Sequence, residues 1–458
     1  MKRLFGTDGM RGKAGQFPLD EATVFVVGQS LARQFNEKNK RTSKFIIGRD
    51  TRESGSWIES AVCAGARNAG AECISAGVMT TPGVAFLTKD LAADAGIVIS
   101  ASHNPFYDNG IKIFLPSGRK MDEVTERNIE ADISDFKSLT PNFKLNSDAN
   151  LISGNLNLEL QERYLSYLAD EFSNLSLGNL KMVVDCANGA ASTLAPQLFE
   201  RFGARVVVIF NQPDGRNINN DCGSLHIEKM RATVLAEKAD LGVAFDGDAD
   251  RALFVDADGN LVDGDATLWA MAQQMQNDGT LEKDTVVATS MSNLGLEIAL
   301  KTRNIKLVRT DVGDKYVLEE LLKSKLALGG EQSGHVIFPQ RSLVGDGMLT
   351  TLALLEAMQE RGAKLSDLIT GFVRFPQILL NVRVREKRDL ESVPRIATVI
   401  KAVEQELGEK GRLVLRYSGT EPLARVMIEG ESQAVIFEQA TRIAAIIEQE
   451  LSNSETVV

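Results

Sequence analysis

The sequence predicts an α/β protein in which three related α/β units precede a smaller domain built on antiparallel strands. Three observations carry this. The chain has 458 residues, too many for one ordinary hydrophobic core. A short β-rich run, a polar turn and a helical pattern recur three times along it. Each recurrence leads to a second buried strand, and directly after that strand comes one of the most unusual segments in the sequence.

The first strands of the three units are Lys44 to Arg49 running into Asp50-Thr-Arg52, Lys181 to Asp185 running into Cys186-Ala-Asn-Gly189, and Thr285 to Thr289 running into Ser290-Met-Ser-Asn293. Some forty to sixty residues later come the second strands. Two share an Ala-Asp-x-Gly opening, Ala93 to Ile99 and Ala239 to Phe245, and the third, Ala327 to Gly330, is looser. The exported loops are Ser100-Ala-Ser-His-Asn-Pro105, Asp246-Gly-Asp-Ala-Asp-Arg251 and Gly330-Glu-Gln-Ser-Gly-His335. Loops at the carboxyl ends of buried strands can bring three chemical kits into one cleft. The polar stretch Lys137 to Asn157 reads as a first linker and Asp256 to Asn260 as a second. After Leu368 the pattern alternates through Ile378 to Val384, as a half-solvated antiparallel strand does. Helices are expected there over Val393 to Leu407 and Ser432 to Leu451. The resulting domains are 1–155, 156–256, 257–370 and 371–458.

Composition narrows the function. Apolar residues make up 43% and charged residues 25%, which suits a compact protein rather than a disordered one. The net charge of -11 and the absence of a cluster of Lys and Arg exclude nucleic acid as a natural partner. No run of about 18 apolar residues occurs, and Asp8, Arg11 and Lys13 interrupt any leader after Met1-Lys2-Arg3, so the expectation is a cytoplasmic protein without a membrane partner. Four scattered cysteines without CxxC spacing read as reduced core thiols.

The chemistry lies in the loops. Asp246, Asp248 and Asp250 alternate on a short loop delivered by a buried strand, and three carboxylates crowded there call for a hard divalent cation. An EF-hand does not fit, because Arg251 and Ala257 stand where its glycine and bidentate glutamate belong. All-oxygen ligands favour magnesium over zinc. In Ser100 to Pro105 two serines compete for a nucleophilic role beside an imidazole. A serine needs a strong base, or must carry a phosphoryl group beside a cation. Gly330 to His335 offers groups suited to polyol recognition, and reads equally as a glycine-rich turn. Arg416-Tyr-Ser-Gly-Thr-Glu-Pro422 with Arg425 resembles a phosphate nest. Neither a Walker A loop nor a GxGxxG motif after a strand occurs, so nucleotide cofactors are not indicated.

Together with Phe5-Gly-Thr-Asp-Gly-Met-Arg-Gly12 and Tyr107-Asp-Asn-Gly-Ile-Lys-Ile-Phe114, these motifs resemble the α-D-phosphohexomutase superfamily over the whole chain and in the right order. Ser-Ala-Ser-His-Asn-Pro and Gly-Glu-Gln-Ser-Gly-His are similar to the variants of its bacterial amino-sugar branch. Met10 sits where many relatives carry isoleucine or valine, a conservative departure. The resemblance implies an α/β fold of four domains around a central cleft, three related mixed α/β domains plus a smaller C-terminal α+β domain. It implies that Ser102, rather than Ser100, is phosphorylated and joins Asp246, Asp248 and Asp250 in binding Mg2+. It gives Lys112 and Arg251 proton and charge handling, and has Arg11 and His103 frame the reacting group. Glu331, Ser333 and His335 would hold sugar hydroxyls, while Arg416, Ser418, Gly419, Thr420 and Arg425 would hold the non-reacting phosphate.

The activity so implied is interconversion of glucosamine 6-phosphate and glucosamine 1-phosphate through a 1,6-bisphosphate, feeding UDP-N-acetylglucosamine and cell-wall synthesis. A hexosamine 1,6-bisphosphate or an equivalent donor would load Ser102. The alternatives are action on other hexose phosphates or a sugar phosphatase. The partner is a small amino sugar phosphate, and a homodimer is the assembly to test.

Overall fold

The computed structural model describes residues 3–139, 155–418 and 422–452. Two compact units share the chain, one formed by Met1–Thr289 with Val308–Thr370, the other by Ser290–Leu307 with Gly371–Val458.

The first unit contains the three α/β sheets. In the first, parallel strands Glu72–Val78, Lys44–Arg49 and Ala95–Ile99 lie side by side, and Ala95–Ile99 then pairs antiparallel with Asp108–Phe114. Strand Gly9–Lys13 continues the sheet on the far side of Asp108–Phe114. The second sheet repeats this plan. Arg205–Ile209, Lys181–Asp185 and Leu241–Phe245 are parallel, and Ala252–Asp256 returns antiparallel beside Leu241–Phe245. In the third, Thr285–Thr289 runs parallel to the short strand Gly329–Gly330, which pairs antiparallel with Val336–Ile337. The repetition in sequence is therefore a repetition in space. In each sheet a buried parallel strand turns back on itself, and that turn is the exported loop. Strands Ala95–Ile99 and Leu241–Phe245 are buried at every position, as strands covered on both faces must be, which explains why they read as unbroken apolar runs. The first domain's core is continuous through Val27, Leu31, Phe45, Ile47, Ile58, Val62, Ile97 and Ile113.

The expected second linker, Asp256 to Asn260, takes the form of a hairpin turn. Asp256 Oδ1 accepts from the Asn260 and Asp258 amides at 2.8 and 3.0 Å, and Leu261–Val262 pairs back onto Ala252–Asp256. An Asp-x-x-Gly turn looks the same in sequence whether it joins two strands or two domains. Most of the expected first linker, Lys137 to Asn157, lies outside the described residues.

In the second unit, Gln377–Arg383, Leu423–Gly430 and Gly411–Tyr417 form an antiparallel sheet with Leu423–Gly430 in the centre. Helices Pro394–Leu407 and Gln433–Leu451 cover it, each within one residue of the expected bounds. Ile396, Ile400 and Val403 pack with Ile436, Ala440, Ile443 and Ile447 against Val426 and Ile428. Helix Leu294–Thr302 also belongs to this unit. Asn293 caps it and donates to Phe375 O at 3.0 Å and Glu429 Oε1 at 3.1 Å. Arg412 in turn donates to the Ser292 carbonyl at 2.8 Å.

Candidate active site

Ser102 sits in the left-handed region, with φ at 54°, a conformation that a serine holds only when its surroundings impose it. The restraints come from distant parts of the chain. Asp50 and Arg52, just past strand Lys44–Arg49, are both fully buried and paired at 2.9 Å. Arg52 Nη2 donates to the carbonyls of Ser102 and Asn104 at 2.9 and 2.8 Å. Its Nη1 donates to Pro105 O and, at 3.1 Å, to Asp108 O. Asn219 Nδ2 donates to Ser102 O at 2.8 Å and Asn104 O at 3.1 Å. On the amide side, Ser100 Oγ accepts the Ser102 N–H at 2.9 Å while donating to Asp50 Oδ2 at 2.6 Å. Ser100 is thus a strut inside the loop, while Ser102 points at the acidic cluster.

Ser102 Oγ donates to Asp246 Oδ2 at 2.5 Å. A separation too long for any cation to bridge would have excluded a metal-assisted serine, and this contact removes that objection. Asp246, Asp248 and Asp250 each offer an oxygen within 4.8 Å of the others, and all three are buried. Asp248 Oδ1 and Asp250 Oδ1 are buried without a hydrogen-bond partner. Orphaned buried carboxylate oxygens are costly, and an all-oxygen set of this kind fits Mg2+. Burial, then Asp250 and Asp248, push the Asp246 carboxyl well up, so a cation here would relieve a real repulsion.

Positive charge is gathered round the triad. Lys112, on strand Asp108–Phe114, is buried and reaches Asp248 Oδ2 at 2.8 Å, Asp250 Oδ2 at 3.1 Å and Asp8 Oδ2 at 3.2 Å. Burial alone would lower its pKa, but the three carboxylates outweigh it and hold the ammonium charged. Thr81, at the start of helix Thr81–Asp90, donates its hydroxyl to Asp248 Oδ2 and its amide to Asp248 O at 3.0 Å. Arg251 Nη1 donates to His103 Nδ1 at 3.0 Å, and that nitrogen lies 3.3 Å from Ser102 Oγ. Burial and the guanidinium groups of Arg251 and Arg11 push His103 down to about 4, so its ring is neutral at pH 7. Arg11 pairs with Asp8.

The third loop joins the same cluster. His335 is buried, with Nδ1 3.7 Å from Asp250 Oδ1 and Nε2 accepting the Gly345 amide at 3.1 Å. Glu331 Oε1 accepts from the Gly313 amide at 3.2 Å, and Ser333 Oγ lies 3.4 Å from Glu331 Oε2. Sequence reasoning thus identified the three loops but missed Asp50, Arg52, Thr81 and Asn219, which hold two of them. Only Asp50-Thr-Arg52 carried a signal, a polar turn at a strand end of the kind that supplied the other loops.

In the second unit, Arg416 and Arg425 face each other across adjacent antiparallel strands. Like charges directly opposite are unfavourable, so an anion bound between them would be stabilising. Among the described residues Arg425 Nε is buried without a hydrogen-bond partner, and Lys387, not foreseen from the sequence, donates to Ser418 O. Gly419 and Thr420 lie outside the described residues.

Comparison with known proteins extends this picture over the whole chain. Models of phosphoglucomutase/phosphomannomutase α/β/α domains I, II and III match residues 2–139, 162–259 and 263–375, and that of the C-terminal domain matches 379–446. The phosphoglucosamine mutase of Solibacter usitatus (strain Ellin6076) is 48% identical, over 98% of this chain and 99% of its own length. That of Caldicellulosiruptor bescii is 46% identical, over 99% of this chain and 100% of its own. Among solved structures, a phosphoglucomutase/phosphomannomutase family protein from Burkholderia thailandensis superposes with a TM-score of 0.77 at 22% identity, covering 98% of each chain. An Aspergillus fumigatus N-acetylphosphoglucosamine mutase, in complex with GlcNAc-6P and magnesium, gives 0.65 at 19%, covering 97% of this chain and 95% of that one.

Proposed function

The chain belongs to the phosphoglucomutase/phosphomannomutase family, and from that premise we propose that it interconverts glucosamine 6-phosphate and glucosamine 1-phosphate. The observation that carries the chemistry is Ser102 Oγ 2.5 Å from Asp246, inside a carboxylate triad that Lys112 braces. Phosphorylated Ser102 gives its phosphoryl group to O1 of glucosamine 6-phosphate: the Oγ–P bond breaks, the O1–P bond forms and the O1 proton ends on Ser102 Oγ. The 1,6-bisphosphate turns round and returns its 6-phosphoryl group to Ser102: the O6–P bond breaks, the Oγ–P bond forms again, the serine proton ends on O6, and glucosamine 1-phosphate is released. A hexosamine 1,6-bisphosphate or an equivalent donor supplies the first phosphoryl group.

Loose phosphoryl-transfer transition states need alignment and charge neutralisation more than covalent help. Mg2+ held by Asp246, Asp248, Asp250 and the Ser102 phosphate would supply such neutralisation. Lys112 and Arg251 add fixed positive charge, and Arg11 and neutral His103 frame the group in flight. Glu331, Ser333 and His335 orient the sugar. Arg416, Ser418, Gly419, Thr420 and Arg425 grip the phosphate that is not reacting. We place the reaction in the cytoplasm, where the reduced state of the four buried cysteines is maintained. No helix among the described residues is long and apolar enough to cross a membrane.

The test is product analysis with glucosamine 6-phosphate, Mg2+ and a catalytic amount of a hexose 1,6-bisphosphate. Formation of glucosamine 1-phosphate, lost in Ser102→Ala, is expected, with kcat/KM above that for glucose and mannose phosphates. Predominant release of inorganic phosphate would make the protein a phosphatase and overturn the proposal.

A further inference from the structure

One further side chain, Lys120, ties together the surroundings of Lys112 and His335. Lys120 lies just past the turn that follows strand Asp108–Phe114, bridged to Phe114. Its ammonium donates to Asp8 Oδ1 at 2.5 Å, to Asp314 Oδ1 at 2.8 Å and to Thr7 O at 3.3 Å. From Asp8, the other carboxylate oxygen reaches Lys112 Nζ at 3.2 Å. From Asp314, the first residue of helix Asp314–Ser324, the other oxygen lies 3.7 Å from His335 Nε2. Asp250 closes the ring, 3.7 Å from His335 Nδ1 and 3.1 Å from Lys112 Nζ. Gly313, next to Asp314, also donates to Glu331. The ring therefore joins the sheet that carries Ser102 and Lys112 to the loop that carries Glu331 and His335, by a contact between residues 194 apart in the chain.

We propose that Lys120 is a positioning residue for phosphoryl transfer, setting the separation between the Ser102–Lys112 wall and the Glu331–His335 wall by bridging Asp8 and Asp314. This rests on the mutase reading. An ammonium has three N–H donors and no acceptor, and all three are engaged here, so Lys120 has no free proton to offer the substrate and acts through Asp8 and Asp314. Burial would lower its pKa, but the facing Asp314 and Asp8 carboxylates outweigh that and keep it charged. With its side chain 17% exposed, the pair is shielded from the screening that makes surface ion pairs weak. A mutase must hold one intermediate in two orientations against the same serine, so the distance between the walls bears directly on the rate.

The experiment compares Lys120→Met, Lys120→Arg, Asp314→Asn and the double variant Lys120→Met/Asp314→Asn in the full chain with Mg2+. It measures kcat, KM, the single-turnover loss of radiolabel from phosphorylated Ser102, and the melting temperature. Lys120→Met is expected to slow both kcat and the single turnover by about 10- to 100-fold, with KM within about threefold of wild type, because misplacement by about 1 Å costs on that scale. Lys120→Arg, which keeps the charge and reach, restores most of the rate. The double variant is expected to be no slower than the slower single one, as for two residues of one unit. Wild-type transfer rates in Lys120→Met, or losses that multiply in the double variant, overturn the proposal. If Lys120→Met does not fold, Asp314→Asn removes one arm and is read the same way. Wild type failing to convert glucosamine 6-phosphate would refute the substrate assignment alone, since transfer from Ser102 to whichever hexose phosphate it accepts still decides the role of Lys120.

Discussion

Replacing Arg52 with lysine separates charge from geometry at the point where the Ser102 loop is held. The fully buried guanidinium contacts Asp50 through Nε and four loop carbonyls, those of Ser102, Asn104, Pro105 and Asp108, through its two terminal nitrogens. A lysine keeps the charge opposite Asp50 but offers three donors from a single atom. With one spent on Asp50, at least two of the four carbonyls lose their donor from this side chain. A hydrogen bond from a charged donor contributes about 1.5–3 kcal/mol net, so the loss of two in Arg52→Lys should destabilise by about 3–6 kcal/mol. At about 2.1 cal/mol/K per residue, a unit of about 350 residues shifts by roughly 1.4 °C per kcal/mol, so the first melting transition should fall by about 4–8 °C. The left-handed conformation of Ser102 then loses one of its two carbonyl anchors, Asn219 being the other. A displacement of Oγ by about 1 Å should lower kcat about 100-fold. Scanning calorimetry and glucosamine 1-phosphate formation measure both effects on one sample. A variant melting within about 2 °C of wild type, with kcat within about threefold, would refute the idea that the fork, rather than the charge alone, builds the loop.

Three further outcomes follow from the same structure. Asp248→Asn removes a carboxylate whose Oδ1 has no other hydrogen-bond partner, and Mg2+ affinity measured by titration calorimetry should fall about tenfold or more. Gly345→Ala would put a Cβ 2.5 Å from His335 Nε2, so the ring must move; a loss of about 1–3 kcal/mol in urea unfolding is expected, with slower turnover. Asp346, which caps helix Gly347–Arg361 and accepts the Tyr164 hydroxyl at 2.7 Å, is pushed up to about 6 by burial. Because its folded pKa lies above the unfolded value of 3.8, its contribution is complete below pH 3.8 and is lost as pH rises through about 6. Asp346→Asn cannot titrate, so its melting temperature relative to wild type should improve between pH 4 and pH 7, and a constant difference would contradict this.

How much was legible depended on the range of the interaction. The three loops could be found because each follows a strand buried on both faces, and a buried strand is a local apolar run. The C-terminal helices could be bounded to within a residue because their apolar period and flanking breaks are also local. That the Asp256 to Asn260 segment is a hairpin was not legible, because its residues specify a reversal of direction and what it joins is not local information. Asp50 and Arg52 were passed over for the same reason: their partners are carbonyls some fifty residues away, and backbone carbonyls have no signature in a sequence. Lys120 looked like one surface lysine among many until Asp8 and Asp314 were seen on either side of it.

By itself the sequence determined the kinds of group available: two serines beside an imidazole, three alternating carboxylates suited to a hard cation, a glycine-flanked loop with a carboxylate and an imidazole, an arginine-bearing loop near the C-terminus, and the order in which they come. These follow from residue type and neighbouring pattern. Which serine faces the carboxylates, that Lys112 stands among three of them, and that His335 turns its ring towards Asp250 were decided only by tertiary structure. The reason is that a hydrogen bond or ion pair acts over about 3–4 Å in space, whatever the length of chain between its partners.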